Sequence, residues 1–104
     1  MKIEHIGIAI KSLETSDHLF ARLLGKHSYK QESVEREGVT TSFYEVGESK
    51  IELLEATNPE SPIAKFLDKK GEGIHHIAFG VENIYTEIER LKEEGFVFIS
   101  EEPK

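Results

Sequence analysis

Two histidines occupy matched positions in a repeated apolar sequence. Residues 3–10 read Ile3-Glu4-His5-Ile6-Gly7-Ile8-Ala9-Ile10, and residues 74–81 read Ile74-His75-His76-Ile77-Ala78-Phe79-Gly80-Val81. At an offset of 71 residues His76 falls on His5, Ala78 on Gly7 and Gly80 on Ala9. Both runs are rich in β-branched and apolar residues, which predicts strands. Side chains alternate between the faces of a strand. One face therefore holds His5, Gly7 and Ala9 with His76, Ala78 and Gly80; the other holds Ile6, Ile8 and Ile10 with Ile77, Phe79 and Val81. An imidazole followed along its own face by two tiny residues has open space beside it. A single strand histidine is ordinarily a hydrogen-bonded structural residue. Two at equivalent positions, both beside small residues, point to a shared metal or substrate site. His75 falls on the opposite face and receives a structural reading; His18, on a polar helix face, and His27, at a strand start, read as surface residues.

The elements that must position these histidines repeat as well. Ser12 can cap a helix from Leu13 to Leu24 that Gly25 stops, with Leu13, Phe20, Leu23 and Leu24 as its apolar stripe, helped by Leu19. Asn83 is the matching cap after the later strand, and Ile84, Ile88 and Leu91 form the second stripe, ending at Gly95. Between the copies, strands are expected over His27–Ser33, Val39–Val46 and Lys50–Leu54, punctuated by Gly38 and Gly47-Glu48-Ser49. Ser61 and Pro62 open a short helix in which Ile63, Phe66 and Leu67 face inward and which Gly71 ends. The chain thus divides into module one (1–57), a linker helix (58–71) and a partial module two (72–104), whose last expected strand is Phe96-Val97-Phe98-Ile99.

Composition narrows the chemistry. A chain of 104 residues with 38% hydrophobic and 32% charged residues describes one small, ordinary globular domain. It has no cysteine, so a thiolate site, a cysteine nucleophile and a disulfide framework are excluded, and any metal must be held by imidazole and carboxylate. Thirteen Lys and Arg against 20 Asp and Glu leave a net charge of −7, which argues against nucleic acid as a partner. The apolar runs are too short to span a bilayer. The first strand begins almost at Met1, so no signal peptide and a cytoplasmic location are expected.

A pair of β-α-β-β-β modules, each with a histidine on its first strand, resembles the vicinal oxygen chelate (glyoxalase/bleomycin resistance/dioxygenase) superfamily. Within it, Glu52-Leu53-Leu54, Ser61-Pro62-Ile63-Ala64-Lys65-Phe66-Leu67 and Gly71-Glu72-Gly73-Ile74-His75-His76-Ile77 look most like the methylmalonyl-CoA epimerases. The resemblance implies an α+β fold in which paired modules form one curved mixed-sheet cup, the second module being truncated. It implies that His5 and His76 are metal ligands and that Glu52 falls where the family places a Gln or Glu ligand. Glu52 sits between Ile51 and Leu53 and so faces away from them, as a cup-lining residue would. The implied cofactor is a divalent metal, Co, Mn, Zn, Ni or Fe. The implied function is epimerisation of a 2-acyl-CoA thioester, by α-proton transfer through a metal-stabilised enolate.

Other features of the resemblance have no counterpart. A fourth ligand and proton carrier, a Glu on the last strand of module two, is expected beyond Lys104. The family's other proposed base lies just past Gly38, where this chain has Val39-Thr40-Thr41-Ser42; Glu37 precedes the turn and is not assigned the role. On the repeat argument the chain is expected to be part of one longer by roughly thirty residues, or to have its open edge covered by a partner chain in a homodimer. Two alternatives stay open on the same scaffold: a glyoxalase-type isomerase or ring-cleaving dioxygenase, and a non-catalytic member that binds a small molecule in the cup.

Overall fold

A computed structural model describes residues 1–99. In chain order the elements are β1 (Lys2–Ala9), α1 (Leu13–Leu24), β2 (Lys30–Val34), a 3-10 turn (Glu35–Glu37), β3 (Val39–Val46), β4 (Ser49–Ala56), α2 (Pro62–Lys70), β5 (Gly73–Gly80) and α3 (Ile84–Glu93). The five strands form one mixed sheet in the order β2-β3-β4-β1-β5. β1 runs parallel to β4 and antiparallel to β5, so the strand bearing His5 lies between the other two strands expected to carry ligands. This is the expected α+β architecture.

The helices start and stop where local chemistry dictates. The Ser12 hydroxyl accepts from the Thr15 N–H (3.3 Å) and the Ser61 hydroxyl from the Ala64 N–H (3.1 Å), each satisfying an orphan donor of the first turn. Asn83 Oδ1 does the same for Tyr85 and Thr86. Gly25 closes α1 at φ 73°, a left-handed conformation that glycine adopts without strain.

The sheet buries a cluster on each face. Ile10, Leu13, Tyr44 and Leu53 pack with Ile8, Ile51, Phe20 and Leu24 beneath α1. Ala9, Val39, Leu54 and Ile63 pack with Phe66 and Leu67 beneath α2. Alternation along β4 thus sends Leu53 to the α1 side and Leu54, with Glu52, to the α2 side.

Three expectations need correction. Leu19 and Leu23 are exposed (56% and 70%), because α1 turns Leu13, Ser16, Phe20 and Leu24 toward the sheet. β2 begins at Lys30, so His27 precedes the strand rather than starting it; His18 and His27 are both exposed. Phe96–Ile99 forms no strand among the described residues, and Val97 and Ile99 face solvent with no ladder to pair with. Besides these, the bulky face of β5 is uncovered: Ile77 and Phe79 are exposed, and α3 buries none of its residues. Residues 100–104 lie outside the described part of the chain. No described helix is long and apolar enough to cross a membrane.

Candidate metal centre

The register of three strands brings the candidate ligands together around a glycine. Gly7 on β1 pairs with Glu52 on β4 and with His76 on β5. Strands lie about 4.8 Å apart, so Glu52 and His76 start roughly 10 Å apart with only a hydrogen atom between them. A Cβ at Gly7 would overlap the Cε1, Nδ1 and Nε2 atoms of His76. The imidazole therefore lies over the glycine, in space that any other residue would fill. His5 stands two residues earlier on the same face. One ligand-type atom from each of His5, Glu52 and His76 lies within 4.8 Å of the others, and all three side chains are part-buried.

The histidine geometry suits one shared cation. His5 Nε2 and His76 Nε2 are 3.0 Å apart, with the rings edge-to-face. Two nitrogens each about 2.1 Å from one ion and at right angles about it sit about 3.0 Å apart. On its other side, His5 Nδ1–H donates to Glu4 Oε1 at 2.6 Å, which leaves Nε2 as the atom with a free lone pair. Glu52 Oε2 approaches His5 Nδ1 to 3.5 Å. Two imidazoles and a carboxylate are a donor set for borderline divalent metals. The residues fit the implied group.

Electrostatics follow burial. Desolvation pushes the Glu52 carboxyl above its ordinary value, against the pull of His5. Desolvation, with His5 and His75 adding to it, holds His76 below the usual histidine range and so favours its neutral, lone-pair-bearing form. The hydrogen bond from His5, then the one from Lys50, lowers Glu4 and keeps it an acceptor.

Glu52 and His76 border a cavity of about 430 Å³. Val39, Leu54, Pro62 and Ile63 give it an apolar wall, Thr41, Glu52, His75 and His76 a polar one, and Arg36 and Glu37 line it from the 3-10 turn. Of the residues singled out from the sequence, His5, Glu52 and His76 converge on one another, and Glu52 and His76 also line this cavity. Thr41 does line the cavity where the family's base was sought, without a carboxylate.

Three further residues belong to the surroundings of the site. His75 does not stand clear of the site on the other face: its Nδ1 lies 3.0 Å from His76 Nδ1, and it lines the same cavity. Glu4 contacts His5 and is itself held by Lys50 (Nζ to Oε2, 3.2 Å), a pair to which the sequence reading gives no role. The signal was present, since Glu4 precedes His5 as His75 precedes His76 at the same offset.

Comparison with known proteins shows the family. The glyoxalase/bleomycin resistance protein/dioxygenase superfamily matches residues 4–104. The chain is 39% identical over 105 residues to an ethylmalonyl-CoA/methylmalonyl-CoA epimerase of Cereibacter sphaeroides, covering 99% of this chain and 78% of that one. It spans about three fifths of the mitochondrial methylmalonyl-CoA epimerases of cattle and humans. A hypothetical protein of Bacillus halodurans superposes with a TM-score of 0.90 at 47% identity, covering 99% of this chain and 75% of that one. The methylmalonyl-CoA epimerase of Streptomyces coelicolor, in complex with 2-nitronate-propionyl-CoA, superposes at 0.81 with 30% identity, covering 100% and 76%. With matched histidines, a mixed sheet of this order and a family match over nearly its whole length, the chain belongs to the glyoxalase/bleomycin resistance protein/dioxygenase superfamily.

Proposed function

We propose that this protein is a metal-dependent epimerase of a 2-acyl-CoA thioester, methylmalonyl-CoA being the compound to test first. The observation that carries the reading is the convergence of His5, Glu52 and His76, with Glu52 and His76 on the wall of one cavity, in a chain similar to epimerases that act on such thioesters. A divalent cation bound there would supply Lewis-acid stabilisation of negative charge developing on a thioester oxygen, an effect of several kcal/mol.

The chain's own residues do the rest. His5 and His76 would each present an imidazole nitrogen to the cation, and Glu52 a carboxylate oxygen. Val39, Leu54, Pro62 and Ile63 set an apolar wall beside the ligands, against which charge interactions are stronger than in open water. Arg36 places a planar cation on the wall, suited to a carboxylate or phosphate of the substrate. Glu37 is the other carboxylate on that wall and is the residue we assign to proton transfer.

The test is exchange of the α-proton of methylmalonyl-CoA with heavy water, followed by proton NMR with metal restored. Loss of the α-proton signal is expected, slowed about a hundredfold by Glu37→Gln with metal content unchanged. No exchange, together with turnover of a hemithioacetal or a catechol, would move the protein to the isomerase or dioxygenase reading. Two imidazoles and a carboxylate would serve those chemistries as well.

A further inference from the structure

The β1–β5 ladder breaks its regular pairing at two places, and each break lies beside a ligand histidine. Ile3 pairs with Phe79 and His5 with Ala78, so β1 carries one unpaired residue, Glu4. Gly7 pairs with His76 and Ile8 with Ile74, so β5 carries one unpaired residue, His75. An unpaired residue of this kind is released from strict alternation and can aim its side chain toward a face its neighbours would deny it. Both have done so. Glu4 Oε1 lies 2.6 Å from His5 Nδ1, and His75 Nδ1 lies 3.0 Å from His76 Nδ1. The two residues are related by the same 71-residue offset as the histidines they touch.

We infer that Glu4 and His75 are a matched pair of positioning residues, each fixing the ring orientation and tautomer of the ligand histidine that follows it. The inference rests on the reading that His5 and His76 hold a cation. A carboxylate only accepts, so Glu4 fixes the proton of His5 on Nδ1 and leaves Nε2 free to ligate. On the other strand, a proton on His76 Nδ1 donated to His75 Nδ1 leaves His76 Nε2 free in the same way. Each orienting side chain is itself held. Lys50 Nζ reaches Glu4 Oε2 at 3.2 Å, and the Phe66 ring meets His75 edge-to-face with centroids 5.0 Å apart. The pair is unequal: an anion makes the histidine it accepts from a stronger donor to a cation than a neutral ring does. Removing Glu4 should therefore cost more affinity than removing His75.

The experiment is chelator competition for Co²⁺ with the wild type and the Glu4→Gln, Glu4→Leu and His75→Phe variants, with melting of each metal-free protein and the visible Co²⁺ spectrum. Glu4→Leu is expected to weaken binding 10- to 100-fold, at the upper end of that range, and His75→Phe nearer the lower end. Glu4→Gln should fall between wild type and Glu4→Leu, because its amide oxygen still accepts from Nδ1–H. The Co²⁺ band should change shape in the Glu4 variants while the metal-free melting points stay within a few degrees. A merely structural Glu4 would move the melting point and leave the spectrum alone. A wild type that binds Co²⁺ with all variants within twofold of it would overturn the positioning role while leaving the metal site intact. A wild type that takes up no Co²⁺ would overturn the metal reading, and this inference with it.

Discussion

Gly7 is where backbone and chemistry meet. Its missing side chain lets Glu52 and His76 reach across β1, and its neighbours in register are those two residues. Gly7→Ala would put a methyl group into the His76 ring. The ring would have to swing away, taking Nε2 out of reach of His5. Co²⁺ affinity is expected to fall at least tenfold, with a loss of about 1–3 kcal/mol in stability from overpacking. Chelator competition and urea unfolding read the two effects separately. Unchanged affinity in a stably folded Gly7→Ala protein would show that the ring position is not what brings the ligands together.

At the scale of elements, α1 is fastened by one polar network. Asp17 accepts from Ser42 Oγ (2.7 Å), Tyr44 Oη (2.5 Å) and Gln31 Nε2 (2.9 Å), tying the helix to β3 and β2. Burial, reinforced by the Asp17 carboxylate, pushes the Tyr44 hydroxyl from 10.0 up to about 12. The unfolded chain releases that proton near pH 10, whereas the folded chain keeps it until about 12. The contribution to stability is therefore complete below pH 10 and is lost as pH rises through that window, about 3 kcal/mol in all. Tyr44→Phe lacks this component, so its stability deficit against wild type at pH 8 should shrink steadily between pH 10 and 12 in urea titrations. A constant deficit would refute the assignment. The same network explains what the sequence left unread. Caps and stopping glycines made the helix boundaries legible, because Ser12, Ser61 and Asn83 act on their own first turns. The inward face of α1 was not, because Asp17 points at partners from distant strands while Leu19 and Leu23 face water. His5, Glu52 and His76 were legible through alternation and resemblance. Glu4 and His75 were not legible through alternation, which fails at an unpaired ladder residue; their matched offset was the one sequence signal for them.

On the scale of the whole molecule, the candidate centre couples strands that the cores hold unequally. β4 and the end of β1 are buried under both helical layers, with Leu53 fully enclosed. β5 is an edge strand with Ile74, Ile77 and Phe79 exposed, fastened mainly along β1. A cation held by His5, Glu52 and His76 would tie that edge strand to β1 and β4 through ligands on all three. Because the ligand set is assembled only on folding, binding adds directly to folding stability. At a free Co²⁺ concentration one hundred times its Kd, the gain is about 2.7 kcal/mol. For a chain of this size that is roughly 10–20 °C in Tm. His5→Ala and His76→Ala should abolish the gain. Amide exchange adds a spatial test: protection should rise most in β5, the strand with least cover of its own. A Co²⁺-induced rise in Tm that survives both alanine substitutions would place the cation elsewhere in the molecule.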